Sequence, residues 1–168
     1  MALFDRIAHD MQLMFRRPTR IQYGALCYRV RKKGSGAEAL LITSRDTGRW
    51  VIPKGWPMDG KLAYQAAERE AYEEAGVKGE IGREPIGVYT YRKGMDFGVT
   101  INCKVQVYPL VVEDIAKNFP EKDMRRSEWM SFAEAAKRVE EPLLKTLILS
   151  FAARISSAYG TREDDGIA

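Results

Sequence analysis

The stretch Gly55 to Val77, GWPMDGKLAYQAAEREAYEEAGV, constrains this chain more than any other part of it. Pro53, Gly55, Pro57 and Gly60 forbid regular structure until about Lys61, since proline lacks an N–H and glycine resists ordering. Leu62 to Ala75 then reads as a helix, and Gly76 is placed to stop it in the left-handed C′ conformation. At roughly 100° per residue, Glu70, Glu73 and Glu74 fall within an arc of about 100° on one face. Tyr64, Ala67, Ala71 and Ala75 occupy an adjacent arc that is apolar and mostly small, so that side can pack closely on a sheet. The glutamates then sit at the margin of the buried face and project into a cleft.

Acids crowded in this way repel one another, each like-charge pair costing an isolated helix about 0.3 kcal/mol. A hard divalent cation relieves the repulsion, because Mg²⁺ and Mn²⁺ prefer oxygen ligands. Arg69 can neutralise part of the charge and orient one carboxylate. Taken without its surroundings, such a face is more often simply solvated. The residues on either side of it decide between the two readings.

The remaining elements suggest α/β or α+β layers. Ile21 to Arg31 reads as a strand, followed by the loop KKGSG; Ala39 to Ser44 is a short apolar strand, and DTG turns the chain into Trp50-Val51-Ile52. Val77 starts a second β region. Val88 to Arg92 and Val99 to Tyr108 form two strands joined across KGMD. The second of these alternates, with Val99, Ile101, Cys103, Val105 and Val107 on one face. Trp129 to Phe132 is a further strand, and Ala133 to Val139 and Leu143 to Ala158 are helices. Trp50 and Trp129 adjoin strands and are read as core.

At 168 residues the chain has room for one domain with a single sizeable core. No repeat or linker divides it. The expected organisation is an N-terminal amphipathic helix over residues 1–18, carrying Phe4, Ile7, Met11 and Phe15 and docked on the domain rather than on a membrane surface, then a domain over 19–158 and a disordered tail over 159–168. Asp5, Arg6, His9 and Asp10 interrupt any signal-peptide core, and no apolar run approaches the roughly 20 residues that span a bilayer. Cys27 and Cys103 lack metal-type spacing and suit a reducing compartment as small buried residues. A cytoplasmic location is therefore expected. With His9 the one histidine, any metal must be held by carboxylates. The net charge of +4 favours an acidic partner only weakly.

The decisive segment resembles the Nudix box, G-x5-E-x7-R-E-U-x-E-E-x-G-U, where U is bulky and aliphatic. Gly55, Arg69, Glu70, Glu73, Glu74, Gly76 and Val77 stand at the family's positions. Lys61 stands where the first glutamate is expected, and Ala71 replaces the aliphatic residue. Lys61 costs roughly 0.3–1 kcal/mol relative to an acid near a helix N-terminus, but it lies about two turns from the acid cluster. Over most of Thr19 to Phe151 the chain further resembles the diphosphoinositol polyphosphate phosphohydrolase branch of that family and its bacterial relatives, through LCYRV, SRDTGRWVIPKG, EEAGVKGEIG and FPEKDMRRSEWMSFAEA followed by Pro142.

The resemblance implies an α/β/α sandwich around a mixed sheet. It implies Mg²⁺ or Mn²⁺ held by Glu70 and Glu74 with Gly55 beside them, Glu73 as proton acceptor with Arg69 as its catalytic partner, and Arg20, Thr43, Arg45, Lys54 and Arg125 on the substrate's phosphates. The expected activity is metal-dependent hydrolysis of a phosphoanhydride bond in a polyphosphorylated small molecule, such as a diphosphoinositol polyphosphate or a dinucleoside polyphosphate. No specific nucleic-acid partner is expected. The alternative is a catalytically silent module that binds a nucleotide or protein, which Lys61 favours and the intact Arg69-Glu70 and Glu73-Glu74 pairs oppose.

Overall fold

The structure, a computed structural model, describes residues 18–31 and 36–164, with side chains up to residue 158. Eight strands form one sheet: β1 (Arg20–Val30), β2 (Ala37–Thr43), β3 (Trp50–Val51), β4 (Lys54–Gly55), β5 (Val77–Ile81), β6 (Gly87–Gly94), β7 (Thr100–Ile115) and β8 (Ser127–Ser131). Helix α1 (Ala63–Ala75) lies between β4 and β5, and α2 (Phe132–Arg138) and α3 (Pro142–Asp164) close the chain. The main strand order is β3-β2-β1-β7-β5, with β4 paired to β1, β6 to β7 and β8 to β2. Only the β1–β7 pair is parallel; the others are antiparallel, so the sheet is mixed as expected.

Side-chain alternation along the strands supplies a core on each face. On β1, Ala25 and Cys27 join Ala67, Ala71 and Ala75 of α1, while Leu26 points the other way toward Phe132, Leu144, Ile148 and Phe151. The small-residue stripe of α1 is therefore what lets that helix lie close against the sheet. The result is a helix on one face and two on the other.

β7 shows why its sequence pattern changes partway along. Ile101, Cys103, Val105 and Val107 are buried between exposed or half-buried neighbours, whereas Val107, Tyr108 and Leu110 are all buried. There the strand runs between β1 and β5 with both faces covered, and it extends well beyond the Tyr108 limit expected from alternation. Trp50 and Trp129 pack against the core but remain half-buried. Guanidinium groups cover the open sides, with Arg29 Cζ 4.1 Å from the Trp129 ring centre and Arg126 and Arg138 over Trp50.

Two ends of the chain differ from, or fall outside, the reading above. Helix α3 continues to Asp164, six residues into the stretch expected to be disordered, because a single Gly160 costs a helix only about 1 kcal/mol and does not stop it. The expected N-terminal helix lies outside the described residues, apart from Pro18. Among the described residues no helix is long and apolar enough to cross a membrane.

Candidate active site

The loop ahead of α1 is fixed before the helix begins. Tyr23 and Gly24 of β1 pair with Gly55 and Lys54, and the Ala25 N–H donates to the Pro53 carbonyl at 3.0 Å. That stitching places the Lys54-Gly55 peptide against the flank of α1. The Lys54 N–H donates to Glu74 Oε2 at 3.1 Å. Gly55 lies so close to Glu70 that a Cβ at that position would sit 1.9 Å from Glu70 Oε1. Glycine is needed here for the close approach of a carboxylate, not for an unusual φ.

The far end of α1 is tied down equally firmly. Gly76 adopts φ 69° and its N–H donates to the Tyr72 carbonyl at 2.9 Å, the left-handed stop expected of it. From there the segment after β7 folds back over the helix. The Ala116 N–H reaches the Gly76 carbonyl at 2.8 Å and the Glu121 N–H reaches the Glu73 carbonyl at 3.0 Å. This carries a fourth acid, Glu121, to the helix's acidic face.

Arg125 then binds the cluster together. Its guanidinium donates to Glu74 Oε1 at 2.6 Å, to the Thr43 carbonyl at 3.0 Å and to Glu121 Oε2 at 3.3 Å. Both Arg125 and Glu74 have side chains about nine-tenths buried. Breaking such a pair strands a charge in the interior, which typically costs about 3–5 kcal/mol. On the open side, Arg69 Nε holds Glu73 Oε1 at 2.6 Å, and Arg45 reaches Glu121 Oε1 at 3.1 Å.

Electrostatics follow from this crowding. Burial, then the negative charges of Glu74, Glu73 and Glu121, push the Glu70 carboxyl up to about 7. Burial also raises Glu74, opposed by Arg125 and Lys54. Lys54 keeps one side open to the cleft but is otherwise ringed by protein; that burial pushes its ammonium down to about 8, against the pull of Glu74 and Glu141. A carboxyl raised by burial and by three neighbouring acids marks a site short of positive charge.

The cleft around these groups has a volume of about 860 Å³. Glu70, Glu73, Glu74, Gly55, Lys54, Arg45 and Arg125 all line it. Arg69 stands behind Glu73 rather than in the lining. Arg20 lies at the exposed start of β1, outside the lining. Thr43 turns into the sheet, where its Oγ1 accepts the Arg126 N–H at 3.0 Å. Lys61 is exposed and outside the lining too, so the departure from the motif does not disturb the acid cluster.

The lining residues not singled out from sequence for this site include Glu121, Tyr91, Gln22 and Glu140. Arg49, which stands within the stretch SRDTGRWVIPKG, also lines it. The lining carries seven acids and six bases. The cleft is thus not the cationic mouth that a basic chain suggests, and three of its six cations, Arg45, Arg49 and Arg125, are already paired with acids.

Carboxylate oxygens are hard donors, and four of them from two segments suit a divalent cation. Among the described residues no three acids already stand close enough to enclose an ion. Glu74 faces Arg125, Glu73 faces Arg69 and Glu121 is held by both Arg45 and Arg125, which leaves Glu70 as the carboxylate most open to rearrangement. The donor chemistry fits, and the charge deficit at Glu70 points the same way.

Comparison with known proteins agrees with this geometry. The NUDIX domain family model matches residues 20–149. Nudix hydrolase 13, mitochondrial, of Arabidopsis thaliana is 30% identical over 136 residues, covering 78% of this chain and 67% of that protein. Human diphosphoinositol polyphosphate phosphohydrolase 3-beta is 32% identical over 115 residues, 67% of this chain and 64% of that protein. Among solved structures, a C. elegans Ap4A hydrolase binary complex superposes with a TM-score of 0.61 at 22% identity, over 83% of this chain and 99% of that one. At that identity the likeness is one of fold.

Proposed function

Because this chain belongs to the Nudix hydrolase family, whose members act on pyrophosphate bonds, we propose that it is a divalent-metal-dependent hydrolase of a phosphoanhydride bond in a polyanion such as a diphosphoinositol polyphosphate or a dinucleoside polyphosphate. The observation that carries this reading is the packing of Glu70 against Gly55 beside Glu74 and Glu121, in a cleft that also presents Arg45 and Lys54. Glu70 and Glu74, with the Gly55 backbone and Glu121 beside them, would hold the Mg²⁺ or Mn²⁺. Bound there, the cation would neutralise charge on the attacked phosphorus group and make water more acidic.

The chain's own residues account for the rest. Glu73 takes the proton of the attacking water, and the Arg69 guanidinium at 2.6 Å keeps that carboxylate aimed. Arg45 and Lys54 hold phosphates that are not attacked, and Arg125 keeps Glu74 and Glu121 together. The two thiols, both buried and free, suit a reducing compartment such as the cytoplasm.

The mixed charge of the cleft adds a consequence. With acids outnumbering bases, a polyanion binds more weakly without divalent charge than with it, so the cation should govern substrate affinity as well as turnover. The test is phosphate release from a panel of diphosphoinositol polyphosphates, dinucleoside polyphosphates and nucleotide sugars, with Mg²⁺, with Mn²⁺ and with chelator. Turnover of at least one polyanion, abolished by chelator and restored by either cation, is expected. A chain that releases nothing from any member of the panel with either metal is instead a silent binding module.

A further inference from the structure

Glu141 is buried, with 6% of its surface exposed, and it takes no part in the chemistry described above. It immediately precedes Pro142 at the head of α3, where a side chain would ordinarily cap the helix. Its backbone carbonyl does accept the Lys145 N–H at 3.0 Å, but neither carboxylate oxygen has a hydrogen-bond partner among the described residues. Burying a carboxylate in that state is costly, and an apolar residue would serve packing better. What Glu141 does have is an ion pair: Oε1 lies 2.8 Å from Arg49 Nη1.

Arg49 leads from there to the cleft. Its Cζ sits 5.7 Å from the centre of the Tyr91 ring, and Lys54 Nζ sits 5.2 Å from that same centre. Tyr91 is held by its hydroxyl, which donates to Gln22 Oε1 at 2.6 Å, and Gln22 is 2% exposed. Arg49, Lys54, Tyr91 and Gln22 all line the cleft. Two cations on one aromatic ring repel each other, so something must hold the second in place. Glu140 also reaches Arg49, at 3.4 Å, but its side chain is 67% exposed and a weak tether.

We propose that Glu141 is a positioning residue that pins the Arg49 guanidinium beside the Lys54 ammonium on Tyr91, making the two cations a preassembled seat for a phosphate group. The seat adjoins the acidic helix, since Lys54 joins the two through its N–H bond to Glu74. It takes a phosphate of the substrate that is not attacked. The inference rests on the proposed function only for the choice of phosphate as ligand, and binding can be read without turnover.

The test is calorimetric binding of inorganic pyrophosphate, in chelator, to the folded wild-type chain, E141Q, R49A and the double variant. A carboxylate that merely stood nearby would repel pyrophosphate, and neutralising it would tighten binding. Pinning predicts the opposite sign: E141Q weakens binding about tenfold, the worth of one charge-assisted contact. R49A weakens it by a similar factor, and the double variant is no worse than R49A alone, because one group acts through the other. Tighter or unchanged binding in E141Q, unchanged binding in R49A, or losses that multiply in the double variant would each overturn the proposal. Should E141Q not fold, E141D keeps the charge but shortens its reach. It loosens pyrophosphate if Glu141 pins Arg49, and leaves binding unchanged if it does not.

Discussion

Glu73→Gln is expected to lower kcat by about 10²–10⁴-fold, the usual worth of a positioned general base. Gln has the same shape but cannot take a proton, so the change removes chemistry and little else. Glu73 is about one-third exposed and its charged partner, Arg69, is nearly half exposed. Water can replace what Gln does not offer Arg69. Pairs of that exposure contribute at most about 1 kcal/mol, and the melting temperature should fall by no more than about 2–4 °C. Steady-state kinetics beside a thermal melt would check both halves. Wild-type turnover in a folded Glu73→Gln chain would remove the residue from its assigned role.

Gly55→Ala is expected to cost about 10²-fold in turnover, a loss typical of a reacting group misplaced by about 1 Å. The added Cβ would lie 1.9, 2.1 and 2.6 Å from Oε1, Cδ and Oε2 of Glu70, and all three atoms belong to the end of a flexible side chain. The carboxylate can therefore swing away while the backbone stays. The fold survives and the site does not. A thermal melt close to wild type together with a collapse in activity is the expected signature. Undiminished turnover in the Gly55→Ala chain would show that Glu70 need not stand against this loop.

Much of this arrangement is legible in the sequence because it is local. The spacing of Glu70, Glu73 and Glu74, the small stripe Ala67-Ala71-Ala75 and the stop at Gly76 all belong to one helix, where periodicity reports directly on geometry. What escapes notice is what arrives from elsewhere in the chain. Arg125 meets Glu74 across 51 residues, and Glu121 reaches the same face only because its N–H bonds to the Glu73 carbonyl. Within FPEKDMRRSEWM nothing in the spacing distinguishes Glu121 as the acid that turns inward.

Glu141 shows the same limit in another form. In the run VEEPLL it stands beside Glu140, and the two look alike in sequence. In the fold Glu141 is buried against Arg49 and Glu140 is largely solvated. The long reach of β7 has a related cause. Alternation marks a strand with one wet face, and it fades at Tyr108 where both faces become covered. The strand itself continues to Ile115.

The charge balance of the whole chain is a poor guide to the cleft. A net charge of +4 is compatible with a lining in which acids outnumber bases, because most of the basic residues lie on other surfaces or are paired with acids. Such a cleft depends on a cation from outside to bind a whole polyanion tightly.

That dependence rests on the acidic face of α1, and titration of Mn²⁺ into the folded chain, followed by calorimetry, tests it most directly. The wild-type chain should bind Mn²⁺, and a Glu70→Gln/Glu74→Gln variant should bind it at least about 100-fold more weakly, since loss of supporting contacts alone can cost 10–100-fold. Equal Mn²⁺ affinity in the two folded chains would contradict the account, because those carboxylates would then have no part in holding the ion.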